Sequence, residues 1–348
     1  MNALLACWVL VVAAGSVDAQ VVLSRRDYAE HGRTFAQIWM ADAGGLNFRQ
    51  LTHSARDHSE PVCSRDGRVI YFVSDPDIER SRNSYGERPN EREVWSYDRK
   101  TGEERLIWRT PGDSAVDLSG INLDNELLVR AGTELRSLGR NPWSIDNVDD
   151  AEVSPGGHRV ALVIAQSYDK DGQSQNARLF TVDAETGRSR IELGQYALPA
   201  WSPDGARIAA FFDEGLAILD AANGVEIEQI ELPRRDAPSQ DIVWSPHGRR
   251  LLAGLYGENG GAGDPQNDYL LLNAGAGTWE PELTARRLLW MGDDRILYLR
   301  PYATTPLAAG SPHEVWTSQL AVYDLVSHKD TGLTSGAVLV NSLAECGF

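Results

Sequence analysis

The chain has 348 residues, 42% of them hydrophobic, with 33 Lys and Arg against 50 Asp and Glu for a formal net charge of −17. An acidic balance of this size argues against nucleic acid, which is held through basic patches, and against anionic membrane surfaces. Three Cys in so long a chain do not make a disulfide scaffold, and the length suffices for a self-sustaining core.

Residues 2–19 read as a secretory signal peptide. An apolar run from Ala3 to Ala14 gives way to small residues ending in Val17-Asp18-Ala19, a cleavage site before Gln20. No Lys or Arg precedes the run, a departure from the usual pattern. The run is shorter than the roughly 20 apolar residues that span a bilayer. Leu4-Leu5-Ala6-Cys7 mimics a lipoprotein cleavage box, but the few residues before Cys7 leave no space for an apolar segment. No other segment approaches membrane length. The expectation is a soluble, periplasmic or secreted protein of residues 20–348, with no membrane insertion.

In chain order, Val21-Val-Leu23, Gln37-Ile-Trp-Met-Ala-Asp42 and Phe48-Arg-Gln-Leu-Thr52 read as the second, third and fourth strands of a unit that lacks its first. A repeat then begins. Its clearest copies are Pro199-Ala-Trp-Ser-Pro-Asp-Gly-Ala-Arg-Ile208 and Ile242-Val-Trp-Ser-Pro-His-Gly-Arg-Arg-Leu251. Weaker copies are Pro61-Val-Cys-Ser-Arg-Asp-Gly-Arg-Val69 and Ala151-Glu-Val-Ser-Pro-Gly-Gly-His-Arg-Val160. In each, an apolar strand ends in a turn where Gly supplies the left-handed conformation and, except at Arg65, Pro presets φ, and a second apolar strand follows. A third strand closes in Asp and then Gly, as in Leu179–Asp183 with Gly187 and Leu216–Asp220 with Gly224, and a short fourth strand ends the unit. Degenerate first strands are Gly120-Ile-Asn-Leu-Asp124, in a short unit near 114–138, and Leu289-Trp-Met-Gly-Asp293. Ala337-Val-Leu-Val-Asn341 at the C-terminus is a first strand with nothing after it.

The pattern predicts an all-β protein: a β-propeller of four-stranded antiparallel blades, each about 40–50 residues. The N- and C-terminal strands share one blade and close the ring, which removes its free edges. The count is seven blades, or six if the unit near 114–138 is not a blade.

The motif Pro-x-Trp-Ser-Pro-Asp-Gly followed by an apolar strand resembles the TolB-like β-propeller repeat. The match is good at 199–205 and 242–248, partial at 61–67 and 151–157, and Arg49-Gln-Leu-Thr52 fits the family's strand ending. Such repeats occur in TolB, in propellers of some peptidases and in oligogalacturonate lyases. TolB has an α/β domain ahead of its propeller, whereas here the repeats begin near residue 20, so the resemblance is to the repeat family and not to TolB itself. A resemblance at this level implies fold strongly and function weakly.

Strand direction sorts the loops by face. The second-to-third loops 76–92, 167–177, 257–267 and 301–318 are long and lie on one face, where functional loops gather on a rigid scaffold. The residues one before the motif's Pro form a candidate binding set at the channel mouth on that face: Glu60, Asp150, Leu198 and Asp241, with Arg287 in the last complete unit. Three acids and one Arg favour a cationic or hydroxyl-rich partner. Trp316 lies in a long loop and is the aromatic expected to touch a ligand, whereas Trp201, Trp244, Trp290, Trp39 and Trp95 suit inter-blade packing.

His53 and His58, with Glu60 nearby, are weak candidates for a divalent metal site of the kind the faint resemblance to oligogalacturonate lyases implies. No further His falls in a matching blade position, so no cofactor is expected. Asp169-Lys-Asp-Gly172 suits a hairpin turn better than a calcium loop. Neither a Gly-x-Ser-x-Gly elbow nor a His-Glu-x-x-His motif occurs. Cys63 takes the slot held elsewhere by Trp, and its blade neighbours the closing blade that carries Cys346. A Cys63–Cys346 disulfide would lock the ring if the Cα atoms lie within about 7 Å. The sequence supports a monomeric, non-catalytic scaffold that presents its long-loop face to an envelope or extracellular protein, peptide or glycan. The alternative is a carbohydrate-active lyase or hydrolase with its site at the channel mouth, where His58 would join Glu60, Asp150 and Asp241 as the binding cluster.

Overall fold

A computed structural model describes residues 20–346 apart from 29–33, 42–46, 76–91, 111–114, 170–173, 214, 234–238, 257–266, 274–277, 302, 307–313 and 336–337. Seven four-stranded antiparallel sheets form the blades of a seven-bladed β-propeller. The short unit is a true blade, with strands Val116–Ile121, Leu127–Ala131, Glu134–Ser137 and Ser144–Ile145.

Counted along the chain, the innermost strands of blades 1 to 6 are Asp57–Cys63, Val116–Ile121, Val148–Val153, Ala197–Trp201, Ser239–Trp244 and Arg287–Trp290. Blade 7 closes the ring: the C-terminal strand Val338–Cys346 lies innermost and pairs antiparallel with Gln20–Asp27, followed outward by Gln37–Ala41 and Phe48–Gln50. Cys63 and Cys346 form a disulfide with Cα atoms 5.5 Å apart, which locks blade 1 to blade 7.

The repeat motif has a mechanical explanation. Ser202, fully buried, accepts from the Arg207 N–H at 2.9 Å and donates to Asp204 at 2.5 Å, while its carbonyl takes the Gly205 N–H at 2.8 Å. Gly205 stands at φ +68°, which a side chain would resist. Ser64, Ser154 and Ser245 accept from the corresponding glycines in the same way. The turn into the fourth strand uses Asp98, Asp183 or Asp220, whose carboxylate accepts from backbone N–H groups two and three residues on.

Apolar side chains are buried between blades, in one cluster per seam. The motif's Trp crosses its seam. The indole N–H of Trp201 donates to the Glu152 carbonyl at 3.0 Å, that of Trp244 to Ala200 at 3.1 Å, and that of Trp290 to Val243 at 3.2 Å. Each bond runs backward to the innermost strand of the preceding blade. Cys63 holds the equivalent slot in blade 1, so the disulfide takes the place of the indole bond at the closing seam.

Two of the long loops are partly built as ribbons. Ser167–Tyr168 pairs with Ser174–Gln175, and Ala303–Pro306 pairs with Glu314–Thr317. Residues 170–173, expected to form a hairpin turn, and most of 76–92 and 257–267 lie outside the described residues.

Candidate functional site

The innermost strands do not run straight into the channel. Their pairing with the second strands shifts register between Ser59 and Val62, Leu118 and Gly120, Val148 and Asp150, Ala197 and Ala200, and Ser239 and Asp241. An extra residue in one strand bends it and re-aims side chains. Glu60 and Leu198 hold φ +48° and +51° there, a region that residues with a side chain seldom occupy. The irregularities recur at the same level in successive blades, near the end that carries the long loops.

This level gathers charge from five blades. Burial raises the Glu60 carboxyl above its usual range, Arg287 opposes the rise, Asp117 adds to it and Arg92 opposes it. Arg287 lies in blade 6 and Glu60 in blade 1, so its field reaches past blade 7. The same guanidinium pulls against the burial-raised Asp241 of blade 5, after the Tyr269 hydrogen bond. Asp150 of blade 3 is raised by burial, against its bond from the Ala151 N–H and the Arg130 charge, with Asp117 and Asp149 adding to the rise. Two residues deeper, burial pushes Glu152 up to about 8, against a bond from the Trp201 N–H and with a contribution from Asp150. Desolvation is the leading cause at all four acids, and it disfavours the charged form.

Two tyrosines brace these acids. The fully buried Tyr269 donates to Asp241 Oδ2 at 2.8 Å, while Oδ1 is covered and has no hydrogen-bond partner. Gly254, paired with Asp241 across the strands, makes that position available: a Cβ there would stand 2.1 Å from Oδ1. Tyr168, in the blade 3 ribbon, donates to Asp149 Oδ1 at 2.7 Å, and Asp149 Oδ2 is likewise covered without a partner. Burial and that hydrogen bond push the Tyr168 hydroxyl up to about 12.

Of the candidates read from sequence, Glu60, Asp150, Asp241 and Arg287 lie at this level and are linked by the fields just described. His58 does not join them. It is 2% exposed within the first strand of blade 1, its Nε2 lies 2.8 Å from Ser54 Oγ, and its ring packs edge-on to Phe72 with centroids 4.7 Å apart. Burial and then Arg56 lower its pKa to about 4. His53 lines a separate hollow on blade 7. Among the described residues, no three His, Cys, Asp or Glu side chains come close enough to hold a metal ion. The Trp316 backbone lies in the blade 6 ribbon opposite Thr304, and its side chain lies outside what is described.

Sequence reasoning missed Asp117, Asp149, Glu152 and the two tyrosines. Glu152 had a signal, because it stands two residues from Asp150 on the same side of one strand.

The arrangement is a rim of desolvated carboxyls with fewer guanidinium groups facing them. It can accept a cation or hydrogen bonds from hydroxyl groups, and Glu152, held near 8, can also donate one as a protonated carboxyl.

No family model matches the chain, and no curated protein matches it. Similar solved structures include a candidate 6-phosphogluconolactonase from Bacteroides uniformis, 14% identical, covering 94% of this chain and 99% of that one at a TM-score of 0.58. A periplasmic gluconolactonase from Pseudomonas aeruginosa is 12% identical, with 94% and 99% covered and a TM-score of 0.56. The β-propeller domain of the trilobed protease from Pyrococcus furiosus, described as having an open velcro topology, is 12% identical, with 91% and 95% covered and a TM-score of 0.55. At such identities the likeness is one of fold, and the class it defines is the β-propeller.

Proposed function

We propose that this protein is an exported, TolB-like binding scaffold. The long-loop end of its channel receives a basic or hydroxyl-rich segment of an envelope or extracellular protein, peptide or glycan. The observation that carries the reading is the convergence of Glu60, Asp150, Asp241 and Glu152, all raised by burial, around one mouth with Arg287. Desolvated carboxyls gain more from a cationic or hydrogen-bonding partner than solvated ones do. The periplasmic gluconolactonase among the similar structures fits an exported location.

Binding of lysine-rich peptides and neutral oligosaccharides to the purified protein by calorimetry tests this. For a basic peptide, affinity rises with pH as the raised carboxyls ionise, with the last gain near pH 8, where Glu152 titrates. The Asp150→Asn/Asp241→Asn double variant loses at least about tenfold while its melting temperature stays close to wild type. A double variant that binds as well as wild type removes the mouth from the reading.

A second reading, as a carbohydrate-active hydrolase or lyase, is favoured by one feature. Glu152, held near 8 with Asp150 two residues away, keeps a proton at neutral pH, as a general acid requires. Turnover of an oligosaccharide that Glu152→Gln abolishes, with binding retained, would establish it.

A further inference from the structure

A second site lies away from the channel, in the outer half of blade 7, and it does not depend on the reading above. Arg25, Asp27, Thr34, Phe35, Gln37, Trp39, Gln50, His53 and Ser54 surround a hollow of about 250 Å³.

Its distinctive member is Arg25. An arginine on a strand of an acidic protein ordinarily extends into water, but this side chain is 16% exposed. Its guanidinium lies over the Trp39 ring, 4.5 Å from the centroid, and 5.2 Å from that of Phe48. Nε donates to Asp27 at 2.7 Å. Among the described residues, the two terminal nitrogens meet no acceptor. Arg25 also follows the place where the pairing with the C-terminal strand shifts register, between Ser24 and Arg25. The backbone irregularity, the aromatic platform and Asp27 together fix a guanidinium whose free edge is a two-pronged donor.

A fork of this kind matches the two oxygens of an oxyanion. Asp27 decides which one. It holds a negative charge against the same guanidinium, so a second charge on the ligand is repelled, and a monoanionic carboxylate is favoured over a phosphate dianion. The rest of the wall is suited to a hydroxylated body. Gln37 is fully used, donating to the Ala36, Ser54 and Arg56 carbonyls and accepting from Thr52 and Ser54, so it holds the wall in place. Thr34 and His53 supply hydroxyl and imidazole groups, and Phe35 and Trp39 supply apolar surface. At about 30 Å³ per water, the hollow has room for about eight waters, the size of one small acid. We infer that blade 7 carries a binding site for a small hydroxylated monocarboxylate, with Arg25 taking the carboxylate end-on and His53 at the rim.

The test is an NMR titration of the full-length mature protein labelled at tryptophan indole nitrogens. The Trp39 indole N–H is buried without a hydrogen-bond partner, so its resonance reports on the ring beneath Arg25; Trp39→Phe assigns it. The probes are D-galacturonate, D-galactose and inorganic phosphate. Galacturonate is expected to shift the Trp39 resonance saturably. Galactose should leave it in place, and phosphate should bind at least about tenfold more weakly. Arg25→Lys keeps the charge but loses the fork, and should weaken galacturonate about tenfold. Since that variant also disturbs the stack on Trp39, His53→Ala serves as the second. It should bind about threefold more weakly with the other indole signals unmoved.

A Trp39 signal indifferent to galacturonate overturns the site, as does an equal response to galactose. Phosphate binding as tightly as galacturonate overturns the choice of carboxylate. Unchanged affinity in both variants removes Arg25 and His53 from it.

Discussion

The closing disulfide offers the sharpest quantitative prediction. Cys63 and Cys346 are 283 residues apart, so their bond ties nearly the whole unfolded chain into one loop. The loop-entropy expression gives about 5–6 kcal/mol at 25 °C for a ring of that length. This is a ceiling, because real denatured chains are more compact than the ideal coil, and realised values fall at about 2–4 kcal/mol. The Cys63→Ala/Cys346→Ala variant should therefore unfold in urea with a midpoint lowered by about 3 kcal/mol divided by the m-value. Far-ultraviolet dichroism and tryptophan fluorescence must give coincident transitions for that conversion to hold. The folded variant should keep its sheet signal, because strand Val338–Cys346 still pairs with Gln20–Asp27 along most of its length. A variant within about 0.5 kcal/mol of the oxidised wild type would refute the reasoning, and would mean that strand pairing alone carries the closure. Two titratable thiols in the unreduced wild type would refute the pairing itself.

Three other outcomes follow from the same geometry. Trp244→Phe leaves the Ala200 carbonyl without its 3.1 Å indole donor and should cost about 1–3 kcal/mol by thermal unfolding, more than Trp→Phe at a solvent-facing position. His58 and Glu152 should bend stability in opposite senses with pH. The His58 pKa is lowered to about 4, so stability is lost as pH falls from about 6.5 towards 4, and His58→Gln should flatten that limb by up to about 3 kcal/mol; Glu152 is raised to about 8, so stability is lost as pH climbs from about 4.5 to 8, and Glu152→Gln should gain on wild type across that span. Gly254→Ala places a methyl 2.1 Å from Asp241 Oδ1 and 3.0 Å from the Tyr269 ring, and should lower the melting temperature by the equivalent of about 1–3 kcal/mol while weakening any ligand of the mouth.

The architecture was legible because its turns are chemically demanding. A buried Ser that satisfies two backbone groups, and a Gly at positive φ, leave few substitutes, so Ser202–Gly205 and Ser245–Gly248 survive as readable copies. Blade 2 could be placed because Gly120–Asp124 keeps the spacing even though it has lost the motif. The closing blade followed from counting strands at both ends.

The site was harder to read, for physical reasons. The register shifts carry no sequence mark: Glu60 and Leu198 adopt left-handed backbone where neither glycine nor asparagine announces it. Nearness in sequence to Glu60 suggested His58 for the mouth, yet the bulge at Glu60 separates the two, and the His58 ring turns into the seam against Phe72. The support of Asp241 comes from Tyr269 and Gly254, each on a different strand from Asp241 and remote from it in sequence. Nothing local in Arg25 distinguishes it from a surface arginine, since its platform, Trp39 and Phe48, arrives on two other strands.

Ring closure also sets a schedule. The inner edge of Gln20–Asp27 has one partner, and that partner is the last strand of the chain. Cys63 emerges 283 residues before the sulfur it joins. At synthesis rates of about 5–20 residues per second, that is a wait of about 15–60 seconds with a β-edge and a thiol both uncommitted. Until the C-terminal strand docks, the closing seam stays open, the geometry from which two chains can exchange their terminal strands. Whatever guards the newborn protein has its task concentrated at residues 20–27 and at one cysteine.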